Sequence, residues 1–279
     1  MDNSTALAFC YAQAAGLLQK SFVKTRASLL FAPESLADLW DLLFKEPAPL
    51  VPEAMLAQQI EEKASQRFLS QYQYFLNQFD CPPAILTDLL KIFETDYSDT
   101  AADIELLRQC WKSIQKCHGD DRVAHEKLFL DEYVIKNIVW ALRLELYYEM
   151  PRDQIIQNLF YVTDRADKND PVAGPAIKVL GFDVHNYADW ENWKYSQFLN
   201  PYEPGQLWCV DPVWIERKYA GHQAVFANHI FHQYTMEGAA LAAWFKIKAY
   251  ELTCIRTAVE GLRLNISSNE ALEAVGING

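Results

Sequence analysis

The sequence predicts an all-α protein, and three observations carry that expectation. Within residues 243–272, Leu252, Ile255, Val259 and Leu262 fall at i, i+3, i+7 and i+10, one apolar face at helical period. Glycine is scarce: of ten in 279 residues, only Gly16 precedes Gly119, which suits helices because they need few left-handed turns. Alternating Val/Ile/Thr runs bounded by turn dipeptides, the mark of a sheet, are nearly absent. At 51% hydrophobic residues the chain can build a core without metal or disulfide.

In chain order, residues 5–19 read as an apolar helix with Ser4 or Thr5 as its cap, followed by a basic patch at Lys20, Lys24 and Arg26. Ser35 and Asp38 resemble a capping pair, ahead of a stripe of Leu36, Leu39, Trp40, Leu43 and Phe44. Pro52 suits the first turn of a third, long helix ending near Phe79. After Pro82-Pro83, a short helix covers 84–93, an acidic break 96–99 and a further helix 100–116, with Gly119 as a C-cap glycine. The segment 118–122 reads as a loop. A long helix then runs over 124–149 and resumes at 153–161 after Pro151.

Residues 162–206 are irregular, with small helices and the turn cluster Asn200-Pro-Tyr-Glu-Pro-Gly205. From Asp211-Pro212 the chain is helical to its end, with a break near Gly238. Ser267-Ser268-Asn269-Glu270 offers a new N-cap. This divides the chain into a first bundle at 1–110, a second at 111–206 with its irregular connection at 162–206, and C-terminal helices at 207–279 that complete a third.

The net charge of −12 disfavours nucleic-acid binding, which needs clustered Lys and Arg, and disfavours adhesion to anionic lipid. Met1-Asp2-Asn3-Ser4 lacks the basic start of a signal peptide, and no apolar run reaches transmembrane length. None of the six cysteines forms a CxxC pair. A reducing, cytoplasmic setting is the expectation.

Motifs for catalysis are sparse. The chain has no GxxxxGK[ST], GxSxG, HExxH or GxGxxG. Asp96, Asp99 and Asp103 lack the glycine and terminal Glu of a calcium loop. Cys110 and Cys117 beside His118 suggest a thiol site or two small buried hydrophobes. His222, His229 and His232 sit at 0°, about −20° and about −80° around a helix; they read as ordinary surface or core-edge histidines, with a metal set including Glu216 or Glu237 as the alternative. Trp190, Trp193, Trp208 and Trp214 read as packing for the irregular segment or as a pocket lining.

The chain also echoes itself. With Tyr133 set on Tyr250, Ile135 meets Leu252, Ile138 meets Ile255, Ala141 meets Ala258, Pro151 meets Ser268 and Asp153 meets Glu270. Two amphipathic helices at a common period align in the same way, so the echo is open to either reading. The pattern Lys248-x-x-Glu251-x-x-Cys254-Ile255-Arg256 resembles the C-terminal helix of the C/d subunit family of V-type and A-type rotary ATPases. Asn137-Ile138 with Arg143, and Asp211-Pro-x-x-Ile215-Glu216-Arg217-Lys218-Tyr219, resemble other parts of that family's pattern. Cys254 and Ala249 depart from it, where Asn and an acidic residue are usual; in the echo register Asn137 falls on Cys254.

The resemblance implies an elongated or funnel-shaped assembly of helical bundles, built from about three similar repeats. It implies a non-catalytic subunit without cofactor, peripheral on the cytoplasmic face of the membrane, whose partners are the proteolipid rotor ring and the central stalk. Its interface candidates are the acidic set Asp96, Asp99, Asp103 and Glu105 and the basic set Lys20, Lys24 and Arg26, against the alternative of solvated loops and helix ends. A His-based metal enzyme and an unrelated helical scaffold are the rival readings.

Overall fold

A computed structural model describes residues 1–94, 100–163 and 167–277, with the side chains of 24 and 100–103 outside that description. It is all-α, with no strand among the described residues. The helices are α1 (Asn3–Lys20), α2 (Leu36–Phe44), α3 (Glu53–Leu76), α4 (Ala84–Glu94), α5 (Thr100–Gln115), α6 (Gly119–Leu146), α7 (Arg152–Gln157), α8 (Ala173–Val179), α9 (Tyr187–Trp190), α10 (Pro212–Gln233), α11 (Gly238–Leu264) and α12 (Ser268–Ala274). Two 3₁₀ segments, Lys24–Phe31 and Ser196–Phe198, complete the set.

The starts and stops follow local chemistry. Asp2, rather than Ser4 or Thr5, caps α1: its Oδ1 accepts from both of their N–H groups at 3.1 Å. Ser35 caps α2 through the Asp38 N–H, and Lys45 ends that helix in the left-handed region at φ 60°. Residues 118–122, expected as a loop, belong instead to the start of α6. Asp120 and Asp121 fill its first turn, where carboxylates suit the helix dipole, and Gly119 supplies φ 56° at the junction. Ser267 and Glu270 close a capping box on α12. The second helix of the echo is shorter than expected, because α7 stops at Gln157.

The buried apolar residues form two clusters. The first joins α1 to α5 and the 3₁₀ segment after α1 with the start of α6, the end of α10, and α11 and α12. The second joins the end of α6 with α7, the irregular 162–206 segment and the start of α10. Two helices therefore cross the seam. In α6, Phe129 and Tyr133 belong to the first cluster and Val134 to Leu144 to the second. In α10, Ile215 and Tyr219 belong to the second and Ala227 to Phe231 to the first. The C-terminal helices, assigned by sequence to a third bundle, thus share a core with residues 6–133.

The organising element is α11, which touches α1, α2, α3, α4, α6, α10 and α12. Its opening Gly238-Ala-Ala-Leu-Ala-Ala243 is buried throughout, and such small side chains let neighbouring backbones approach closely. Trp244 follows, fully buried, parallel to Tyr72 and edge-on to Phe75 with centroids 5.0 Å apart. Tyr72 anchors that stack by donating to the Leu86 carbonyl at 2.8 Å. At the C-terminus, Gly276 (φ 76°) crosses α10 so closely that a Cβ there would lie 2.2 Å from the Arg217 carbonyl.

Candidate functional site: the ties of the central helix and the basic cavity beside it

Lys248 and Glu251 stand one turn apart on α11, both nearly buried, and form an ion pair. Burial of the pair is tolerated because each group has a second partner. The Glu251 carboxylate accepts the Phe22 N–H, which the end of α1 leaves without a helical acceptor, and Lys248 donates to Ser21 Oγ at 2.9 Å. The pair therefore pins the turn after α1 onto the middle of α11.

These residues floor a cavity of about 350 Å³ between α1, α2, α3 and α11. Lys20, Arg26, Lys45 and Arg67 also line it, and among the described residues none of the four pairs with a carboxylate. The Gln71 Oε1, buried there, has no hydrogen-bond partner among the described residues. On a chain of net charge −12 this is a local concentration of positive charge, suited to an anionic group. Two members of the expected basic patch, Lys20 and Arg26, thus converge with Lys248 and Glu251 of the family-like pattern. Lys24 lies in the 3₁₀ segment, its side chain outside the described residues.

The other pattern residues are ties as well. Arg143 of α6 binds Glu216 of α10 at 2.6 Å, so two residues singled out separately in sequence meet each other. Arg256 of α11 approaches Glu61 of α3 at 3.9 Å. Asn137 is buried and holds the chain after α7 from both sides, donating to the Phe160 carbonyl at 2.7 Å and accepting the Phe160 N–H at 2.9 Å.

Sequence reasoning missed the strongest tie. Glu132 of α6 is buried at the seam between the two apolar clusters, where it binds Lys246 of α11 at 2.7 Å and Lys136 at 2.8 Å and accepts from Gln223 of α10. Burial opposes ionisation of Glu132, but Lys136 and Lys246 outweigh it and hold the carboxyl down to about 2. Lys246 also lies over the Phe129 ring at 4.7 Å. In the echo register Glu132 stands opposite Ala249, where the resemblance expects an acid. Glu132 is 91 residues from Gln223 and 114 from Lys246 in sequence, so no local pattern announced it.

Of the acidic interface candidates, Asp96 and Asp99 lie outside the described residues, as does the side chain of Asp103. Glu105 pairs with Arg108 at 2.8 Å, and Arg108 donates to the Tyr161 carbonyl. The histidine set does not assemble. His222, His229 and His232 are exposed on α10, His222 and His229 about 10 Å apart along the axis at 1.5 Å rise per residue. His222 rests against Phe198, and His232 against Phe231.

A different cluster does assemble. Cys117 Sγ, an Asp121 carboxylate oxygen and a His125 ring nitrogen all lie within 4.8 Å of one another. Asp121 accepts the Ala239 N–H at 2.9 Å and so caps the start of α11, while His125 Nδ1 donates to the Asp121 carbonyl at 2.8 Å. Burial alone would lower the His125 pKa, but Asp121 and Cys117 outweigh it and hold it up at about 9. The 117, 121, 125 spacing becomes visible once 119–123 is read as helix; His118, the neighbour expected from sequence, is not part of it. Cys110 is buried, and burial pushes its thiol up to about 11, in keeping with a small core residue.

Among curated proteins, the chain is similar to an uncharacterized protein of Treponema pallidum (strain Nichols), 22% identical over 316 aligned positions that cover 90% of this chain and 91% of that protein. No family model matches the chain, and no solved structure matches it significantly.

Proposed function

We propose that the chain is a non-catalytic central-rotor subunit of a V/A-type rotary ATPase, coupling the central stalk to the membrane proteolipid ring during proton or sodium transport. The observation that carries this reading is the placement of the pattern residues. Arg143, Glu216, Lys248, Glu251 and Arg256, which bear the resemblance, all act as ties between helices or between a helix and the turn that follows another. A torque-transmitting part works by being stiff, and close-packed helices cross-linked by ion pairs at their contacts transmit strain rather than absorbing it. No helix among the described residues is long and apolar enough to cross a membrane, so attachment to the ring runs through protein contacts in this reading.

The test is assembly. Tagged chain purified from mildly solubilised membranes of its own cell should bring down the proteolipid ring and central stalk proteins. Recovery of the intact motor through another tagged subunit, with this chain absent, contradicts the rotor reading and leaves a helical scaffold of other purpose.

A further inference from the structure

The cluster at the junction of α5 and α6 has no part in the rotor reading. Its three side chains differ in kind but share one point: a thiol, a carboxylate and an imidazole with donor atoms mutually within 4.8 Å. Among the described residues it is the one group of three or more such side chains gathered this closely. The positions follow from the fold. Asp121 and His125 are one turn apart on α6, and Cys117 sits in the turn that delivers the chain into that helix.

The surroundings are those of a built site. His125 is fully buried, its ring parallel to Phe129, and its Nε2 has no hydrogen-bond partner among the described residues. A buried polar atom without a partner is costly, and a site that recruits an imidazole nitrogen gives the burial a purpose. Asp121 is oriented by the Ala239 N–H, the outer contact that a ligating carboxylate usually has.

We infer that Cys117, Asp121 and His125 form a binding site for a divalent transition metal, Zn²⁺ by the chemistry of the donors. One thiolate, one imidazole and one carboxylate make a borderline-soft set that suits zinc and does not suit magnesium or calcium, which take oxygen ligands. Three protein donors leave a fourth position for solvent. Such an ion would fix Asp121, whose carboxylate accepts the Ala239 N–H, and so brace the N-terminal end of the central helix.

Metal analysis of the purified full-length chain after dialysis against equimolar Zn²⁺ tests this directly. One zinc per chain is expected. Replacement by Co²⁺ should produce a thiolate-to-cobalt charge-transfer band that is lost in Cys117→Ser. His125→Ala should lose the metal, and His229→Ala should keep it. Absence of bound zinc, or zinc retained in full by both Cys117→Ser and His125→Ala, overturns the site. If His125→Ala fails to fold by circular dichroism, the wild-type cobalt spectrum decides, since cobalt binding without a thiolate band also overturns it.

Discussion

At the scale of single residues, Glu132 is a buried carboxylate paired with two lysines. Removing one member of a buried ionic node leaves the others charged and unpaired, which costs roughly 3–5 kcal/mol, whereas exchanging a pair for apolar groups of similar volume is often neutral. Glu132→Ala should therefore lower the unfolding free energy by about that amount in a denaturant titration, and a Glu132→Leu, Lys246→Met double variant should recover much of it. The acid limb adds a second readout. Because Lys136 and Lys246 hold the folded-state pKa of Glu132 below its ordinary 4.5, at about 2, its stabilisation is present above 4.5 and is lost as pH falls from there towards 2. Glu132→Gln should flatten stability over that window; an unchanged acid limb would mean the node contributes nothing. None of this was legible beforehand, because Glu132, Gln223 and Lys246 meet only through the packing of three helices.

At the scale of elements, what was legible was local. Ser35 before Leu36 and Ser267 three residues before Glu270 are caps whose partners lie within one turn, and both are present in the structure. Ser267→Ala removes one side of the capping box and should cost about 1 kcal/mol, read as a small fall in thermal midpoint with α11 unaffected. The start of α6 was misplaced because His118-Gly-Asp-Asp-Arg122 is polar and carries a glycine, two loop signals, although Asp120 and Asp121 equally suit the first turn of a helix, and Asp121 also accepts the Ala239 N–H of α11. The same error hid the Cys117, Asp121 and His125 spacing. The histidines of α10 lie exposed along that helix, as ordinary surface residues do, and the alternative metal set they offered in sequence does not assemble. The echo between 133–155 and 250–272 corresponds to two long helices each followed by a short one, α6 with α7 and α11 with α12.

At the scale of the whole molecule, the all-α architecture follows from helical periodicity and glycine scarcity, but the arrangement of cores does not. A sequence divided in order gives three segments. The structure instead threads α11 through the first cluster and uses α6 and α10 to bridge to the second, with Glu132 at the seam. A body in which two cores share two continuous helices and an ionic node resists bending at the junction, which is the property a rotor coupling needs. The basic cavity beside Lys248 gives this acidic chain a local positive surface. The central claim, that this body links stalk to ring, is tested most directly by ATP-driven ion transport in membrane vesicles from cells depleted of the chain. ATP hydrolysis by the soluble motor should persist while ion transport is lost, and transport should return on adding back the protein. Undiminished ATP-driven transport in the depleted vesicles would contradict it.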